Sequence, residues 1–331
     1  MDEKKLNVAI VGCGYWGPNL IRNFSQLPEA NLSKICDLDK NKLEEIKKQY
    51  PTIETTDSYD ELLNDNKINA IIIATPVFTH FELAKKALEN DKHVFIEKPE
   101  TLTSKEAEEL LEISNQKNKI IMVDHIFEYS PAINKIKQIL DNKELGNPNY
   151  IHAEWLSLGR LQPEVNVIWD LAVHVFAALN YILGKKPISL SAHTKAYFRE
   201  DIDEVAVITL NFPDKIKAFV TVSWTEPEKT RKMTIVGSKK MLVYNMLDKD
   251  QIKIHNKSVN INQNQITYPE GEITPIKIED TEPLKTSCSH FISCIKNNTV
   301  PRSDGQDGLD IVRILEATDE SIKNNGKEII L

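Results

Sequence analysis

Through residue 125 or so, the chain alternates short apolar runs with stretches whose apolar positions recur every three to four residues. That alternation predicts strands separated by helices. Strands are predicted at 6–11, 32–36, 70–74, 93–97 and 120–123, and helices at 18–26, 40–49, 81–90 and 104–117. The run Ala70-Ile71-Ile72-Ile73-Ala74 has no polar position, as a strand covered on both faces requires. Pro28 ends the first helix and Ser104 is the expected cap of the last. Strand–helix–strand repetition of this kind builds a parallel sheet with crossover helices.

The pattern then changes. After a helix at 131–140, period-two alternation appears at 149–156, 188–197, 205–212, 216–224, 232–236 and 241–244. Tight turns such as Pro213-Asp214 and Gly237-Ser238 separate several of these strands, which predicts a mostly antiparallel sheet. One helix, 169–183, interrupts them, and the polar stretch 256–264 is expected to be a loop. The fold class is therefore α/β followed by α+β. Residues 1–124 are expected to form the parallel-sheet domain, and residues 125–331 the domain built on the antiparallel sheet.

At 331 residues, two domains are the ordinary expectation. The net charge of −8 argues against a nucleic-acid surface. No apolar run is long enough to span a bilayer, and the charged start Met1-Asp2-Glu3-Lys4-Lys5 has no leader character. Cys13, Cys36, Cys288 and Cys294 show neither Cys-x-x-Cys nor metal spacing. A reduced, cytoplasmic setting with no membrane partner is the expectation.

Gly12-x-Gly14-x-x-Gly17 follows the first strand and opens the first helix. In that context the first glycine makes a tight turn, the second admits a pyrophosphate, and the third packs helix on strand. Tyr15 and Trp16 lie inside the turn, and Cys13 reads as a small filler. Asp37 ends the second strand 20 residues after Gly17, where a carboxylate takes the adenosine ribose hydroxyls. Its charge favours NAD over NADP, with Lys40 and Lys42 on a solvated helix face. Thr75-Pro76 ends the third predicted strand, on the ligand-binding edge of such a sheet.

Two further groups carry chemistry. Glu97-Lys98-Pro99 closes the strand at 93–97, and the proline keeps Lys98 extended, so its ammonium is expected to stabilise a developing alkoxide. Asp170 and His174 stand four apart on the helix at 169–183. There the carboxylate would orient the imidazole as a proton acceptor. No third group completes a metal set, so no metal is expected.

The combination resembles the Gfo/Idh/MocA oxidoreductase family. The resemblance rests on the glycine turn from Val8 to Gly17, on Glu97-Lys98-Pro99, on Asp170-Leu171-Ala172-Val173-His174 and on Pro301-Arg302-Ser303-Asp304-Gly305. It implies an N-terminal Rossmann domain, a C-terminal domain whose large sheet forms an oligomer interface, and Lys98, Asp170 and His174 facing the nicotinamide. A narrower likeness joins Gly14-Tyr15-Trp16-Gly17-Pro18-Asn19-Leu20, His125-x-Phe127-x-Tyr129-x-Pro131, and Leu158-Gly159-Arg160 with Asn166-x-x-Trp169-Asp170. It resembles a branch that oxidises the 3-hydroxyl of UDP-N-acetylglucosamine or its uronic acid, for lipid A or surface-polysaccharide synthesis. There Arg160 would meet a diphosphate or carboxylate, Asn166 a sugar hydroxyl, and Tyr129 a base or sugar face. Glu100 is expected to be a surface change, and the apolar run Val175-Phe176-Ala177-Ala178 to reshape the pocket. The resemblance leaves three rivals: a polyol or free-sugar dehydrogenase, a deoxy-sugar nucleotide ketoreductase, and a non-catalytic cofactor-binding regulator. A homo-oligomer, dimer or tetramer, is expected from an uncovered sheet face.

Overall fold

A computed structural model describes residues 5–159, 161–262, 265–269 and 271–331. They fall into two compact units. One runs to Tyr129 and takes back Thr281–Val312; the other is Ser130–Asp280 with Arg313–Leu331. The segment after Asp280 thus leaves the antiparallel region, where the sequence patterning had kept it. The reason is the apolar surface of the first unit, in which Leu284, Cys288, Phe291 and Ile292 are buried.

The first unit runs β1 (Leu6–Val11), α1 (Gly17–Gln26), β2 (Ala30–Cys36), α2 (Lys40–Gln49), β3 (Glu54–Thr56), α3 (Tyr59–Leu63), β4 (Ala70–Ile73), α4 (His80–Glu89), β5 (His93–Ile96), α5 (Ser104–Lys117) and β6 (Ile121–Val123). Among the described residues the sheet has six strands in the order β3-β2-β1-β4-β5-β6, all paired in parallel. This is the doubly wound order of a dinucleotide fold, with its switch point between β1 and β4. The short β3 and α3 gave too little pattern to be predicted. All four residues of β4 are buried, and each isoleucine contributes roughly 1.5–3 kcal/mol relative to exposure. The cap of α5 is Thr103 rather than Ser104. Its hydroxyl accepts from the Glu106 N–H at 3.2 Å, and Glu106 Oε2 accepts from the Thr103 N–H at 3.1 Å. That reciprocal pair satisfies two otherwise orphaned donors.

On one face of this sheet, Phe95 meets Phe24 edge-on, with 5.8 Å between ring centroids. Phe95 also meets Phe291, from a later helix Pro283–Asn297, at 5.4 Å. Leu284, Cys288 and Ile292 of that helix are buried in the same cluster as Val8, Ile10 and Leu20. Arg22 and Glu282 pair at 2.5 Å beside it.

The second unit begins with α6 (Pro131–Asp141) and β7 (Pro148–Leu158), then α7 (Val173–Leu183), β8 (Ser189–Lys195), β9 (Val205–Asn211), β10 (Lys217–Ser223), β11 (Thr225–Gly237), β12 (Met241–Asn245) and β13 (Ile252–His255). The stretch expected as a loop contains a small hairpin, β14 (Asn260–Asn262) with β15 (Gln265–Thr267). β16 (Ile273–Ile276) follows, then α8 (the helix Pro283–Asn297 of the first unit), α9 (Gly305–Lys323) and β17 (Ile329–Ile330). The large sheet has nine strands among the described residues, in the order β16-β13-β12-β11-β7-β10-β9-β8-β17. Only β7 and β10 run parallel; the other pairs are antiparallel. Both sheets match the predicted fold class. On the large sheet's outer side Tyr150 and Phe219 pack against each other at 6.3 Å while staying partly exposed, with Val207 also exposed. Among the described residues no helix is long and apolar enough to cross a membrane.

Candidate active site

In the first unit, the glycine turn sits at the switch point of the sheet. Gly12 has φ +101°, and a Cβ there would lie 2.5 Å from the Ala74 carbonyl oxygen, so only glycine fits. A Cβ on Gly17 would lie 2.2 Å from the Gly12 oxygen. Gly14 differs: a Cβ would meet nothing within 4 Å. Its backbone therefore faces an open cradle. The N-terminus of α1 has no side-chain cap; Pro18 has no N–H and the Asn19 N–H is taken by the Trp16 carbonyl at 2.9 Å, so an anion would meet the glycine turn's own N–H groups rather than the first turn of the helix. Asp37 stands beside the turn, with Oδ2 accepting from the Cys13 N–H at 2.5 Å and Oδ1 from the Asp39 N–H at 2.8 Å. A carboxylate has further lone pairs for ribose hydroxyls. These residues fit a dinucleotide. Cys13 is buried, and its thiol is pushed up to about 12, first by burial and then by the Asp37 charge. A protonated filler matches the sequence reading. Tyr15 is exposed.

The ends of β4 and β5 are tied together by a residue that belongs to no motif. His80 is buried, with Nε2 2.9 Å from the Thr75 carbonyl and Nδ1 2.9 Å from the Pro99 carbonyl. Burial lowers its pKa, against the raising effect of those carbonyls. Thr75 Oγ1 lies 2.7 Å from Thr79 Oγ1, and Pro76 precedes a short 3₁₀ turn. The Lys98–Pro99 peptide is cis, and Lys98 is half-buried.

Glu97 and Asp124 form a carboxyl pair under this edge. Asp124 Oδ1 accepts from the Ser287 hydroxyl at 2.8 Å, and Trp16 and Glu97 also hydrogen-bond Asp124. Burial, followed by the Asp124 charge, raises Glu97 well above the usual carboxylate range. Burial and mutual repulsion oppose ionisation of both carboxyls together. Glu97 and Trp16, both expected at the cofactor, thus also anchor the strand end that carries Lys98.

Three residues beyond Glu97, Glu100 is fully buried instead of lying on the surface, and among the described residues neither oxygen has a hydrogen-bond partner. Its carboxyl lies where a side chain on Gly308 would be, and burial raises its pKa well above normal. His125 and Glu128 are joined in space by the distant Asp307, with ligand-type atoms within 4.8 Å of one another. His125 Nδ1 lies 2.7 Å from Asp307 Oδ2, the spacing of a hydrogen bond through a proton. Burial alone would lower this imidazole, but its bonds to Asp307 and Glu128 outweigh that and hold it at about 10.

Tyr129 is a core residue rather than a stacking surface. It is buried, its hydroxyl lies 3.0 Å from Ser303 Oγ, and Arg302 lies over its ring at 5.0 Å. The ring lies in the same apolar cluster as Phe95, Met122 and Phe291.

In the second unit, Asp170 occupies a π turn, Ile168–Ala172, in which the Val173 N–H bonds the Ile168 carbonyl five residues back. Such turns concentrate at functional sites. The turn leads straight into α7, so the sequence's single regular helix is two different windings. Asp170 and His174 are both half-buried. Asp170 Oδ2 accepts from the Trp224 indole N–H at 3.0 Å. Arg231 lies close enough to feel the Asp170 charge, and its guanidinium donates to the Leu156 and Thr230 carbonyls at 2.8 Å. Asn166 turns its side chain inward: Oδ1 accepts from the N–H groups of Ile168 and Trp169 at 3.0 and 3.2 Å. It caps the π turn, and Asp319 braces it by accepting from the Trp169 indole at 2.9 Å. Val175, Phe176, Ala177 and Ala178 are all fully buried, so this run fills the core instead of lining a pocket. Arg160 lies outside the described residues. Trp224, Arg231 and Asp319 carried no signal in the sequence, since each is drawn in from a distant element.

Comparison with known proteins completes the picture. Among solved structures, UDP-N-acetylglucosamine 3-dehydrogenase GnnA from Acidithiobacillus ferrooxidans superposes with a TM-score of 0.81 at 21% identity, over 97% of this chain and 98% of that one. An NAD-dependent scyllo-inositol 2-dehydrogenase of Bacillus subtilis (strain 168) is 28% identical over 68% of this chain and 69% of its own length. An NADP-dependent scyllo-inositol 2-dehydrogenase of the same strain is 25% identical over 96% and 94%. Residues 6–125 match the oxidoreductase family, NAD-binding Rossmann fold, of GFO/IDH/MocA proteins, and residues 133–243 match the GFO/IDH/MocA C-terminal domain. The chain belongs to the Gfo/Idh/MocA family of NAD(P)-dependent oxidoreductases, enzymes that act on hydroxyl groups of small sugar-like substrates.

Proposed function

We propose that this enzyme oxidises the 3-hydroxyl of a nucleotide sugar, UDP-N-acetylglucosamine or its uronic acid, to the 3-keto sugar. The observation that carries the chemistry is Asp170 on a π turn that runs straight into the helix carrying His174, the turn being braced by Trp224, Asn166 and Asp319. A bound nicotinamide supplies the hydride acceptor. Gly12, Gly14, Gly17 and Asp37 hold the dinucleotide, with Thr75, Pro76 and Glu97 shaping the sheet edge beside it. Lys98 hydrogen-bonds the substrate oxygen and stabilises the charge that develops there. His174 accepts the hydroxyl proton, and Asp170 orients the ring and stabilises its charged form. Asp37 favours NAD, because a 2′-phosphate would meet its negative charge.

The nucleotide-sugar substrate is supported by the segments around Gly14–Leu20 and Asn166–Asp170 and by the structural likeness to a UDP-N-acetylglucosamine 3-dehydrogenase. A second reading, a cyclic polyol dehydrogenase, is favoured by the two inositol dehydrogenase relatives. In the first reading the 3-keto product feeds an aminotransferase for lipid A or surface-polysaccharide synthesis in the cytoplasm. The Tyr150–Phe219 face of the large sheet joins copies into a dimer or tetramer.

The test is growth of the reduced-nicotinamide band with NAD and UDP-N-acetylglucosamine, its uronic acid, scyllo-inositol or xylose, with an aminotransferase present to draw the keto product away. A UDP-sugar is expected to give the signal. Signal with inositol alone would replace this reading with the second. Lys98→Ala and His174→Ala are each expected to lower kcat by about 10²–10⁴-fold.

A further inference from the structure

Arg199 belongs to no motif in the sequence and lies in the second unit, between β8 and β9. Its guanidinium is held on three sides. Nε faces Glu204 Oε1 at 3.5 Å, Nη1 donates to the Gln162 carbonyl at 2.5 Å, and the group lies 5.5 Å from the centre of the Trp224 ring. The fourth feature is an omission. Nη2 is buried and has no acceptor among the described residues.

The support around it is rigid. Glu204 is fully buried, and its Oε2 accepts from the backbone N–H groups of Tyr197 and Phe198 at 2.6 and 3.2 Å. One carboxylate therefore fixes three consecutive residues. Trp224, on which the guanidinium rests, donates its indole N–H to Asp170. A single indole ring thus separates Arg199 from the carboxylate proposed to orient the base. Tyr197 and Phe198 stay exposed beside it, at 69% and 72%.

Buried donors are nearly always matched, and a guanidinium fixed in its plane is best matched by the two oxygens of a carboxylate or phosphate. We propose that Arg199 binds an oxyanion of the substrate and so sets which sugar carbon faces Asp170 and His174. A neutral polyol has no such charge to offer, so the inference rests on the nucleotide-sugar reading and deepens it. The oxyanion is either the diphosphate or a carboxylate on the sugar.

Calorimetric titration of the NAD-loaded full chain separates the cases. The probes are UDP, UDP-N-acetylglucosamine and its uronic acid, against the wild type, Arg199→Met and Arg199→Lys. The expected result is binding weakened about 10–100-fold in Arg199→Met, the cost of a lost charge-assisted bond. Arg199→Lys, which keeps the charge facing Glu204 but lacks the planar fork, is expected to fall between. Weakened UDP binding assigns the contact to the diphosphate; weakening confined to the uronic acid assigns it to the sugar carboxylate. If the wild type binds all three and both cooperatively melting variants bind them equally well, the inference is overturned while the nucleotide-sugar reading stands. If the wild type binds no UDP compound, the reading itself fails and the inference goes with it.

Discussion

His125 shows how much of this protein's chemistry is spent on holding a strand end in place. Its imidazole is buried against Asp307 and Glu128 and titrates at about 10, above the ordinary histidine value of about 6.5. A group whose pKa is raised by folding stabilises the fold fully below its unfolded value and loses that contribution as pH climbs through the folded one. Glu100 and Glu128, also raised by burial, act with the same sign, as do the thiols of Cys13 and Cys36 above pH 8. His80 and His93 are lowered and titrate below this window. Stability to urea should therefore fall steadily between pH 7 and pH 9, and His125→Gln should flatten that slope. A slope unchanged in the variant would place the titration elsewhere. Little of this was legible beforehand. Glu100 follows Pro99 in a charged stretch and has every mark of a surface residue; only the approach of Gly305 and Gly308 in α9 encloses it. Tyr129 was equally opaque, because an aromatic beside a strand end suits a base or a core, and the sequence does not reveal Ser303.

At the scale of elements, the regular patterns were readable and the irregular ones were not. The glycine turn, β4 and the long strands follow from local composition, because each is set by a period or by a backbone conformation that few residues permit. The π turn has no such signature: Asn166-x-x-Trp169-Asp170 reads equally well as the start of an ordinary helix. Yet that extra residue decides where Asp170 points, toward the Trp224 indole. Deleting Leu171 should restore a regular helix and swing Asp170 by roughly 100°. The expected outcome is a protein that still melts cooperatively, with altered Trp emission and kcat down at least about 100-fold. Full turnover in the deletion would show that the widened winding is dispensable.

For the whole molecule, the sequence conveyed two kinds of sheet and therefore the fold class. It did not convey that the first unit is assembled from separate stretches of chain. Nothing in the amphipathic pattern of 283–297 says which apolar surface it will cover; the answer lies in Phe95 and Phe24, some 200 residues earlier in the chain. A fragment ending at Tyr129 would expose that face together with the Asp124 carboxyl that Ser287 satisfies. It is expected to aggregate or melt without a cooperative transition. The same fragment joined by a flexible linker to residues 281–312 should melt cooperatively and bind NAD. Equal behaviour of the two would show that α8 is ornamental to that core.

The same divided unit has a consequence for synthesis on the ribosome. Between the emergence of Tyr129 and of Thr281, about 150 residues must be translated, which at about 5–20 residues per second takes roughly 8–30 s. Through that interval the nascent nucleotide domain carries an uncovered aromatic face and an unfinished acid pair. Chaperone dependence is the expected outcome during that interval, and slowing translation across the large sheet should lengthen it.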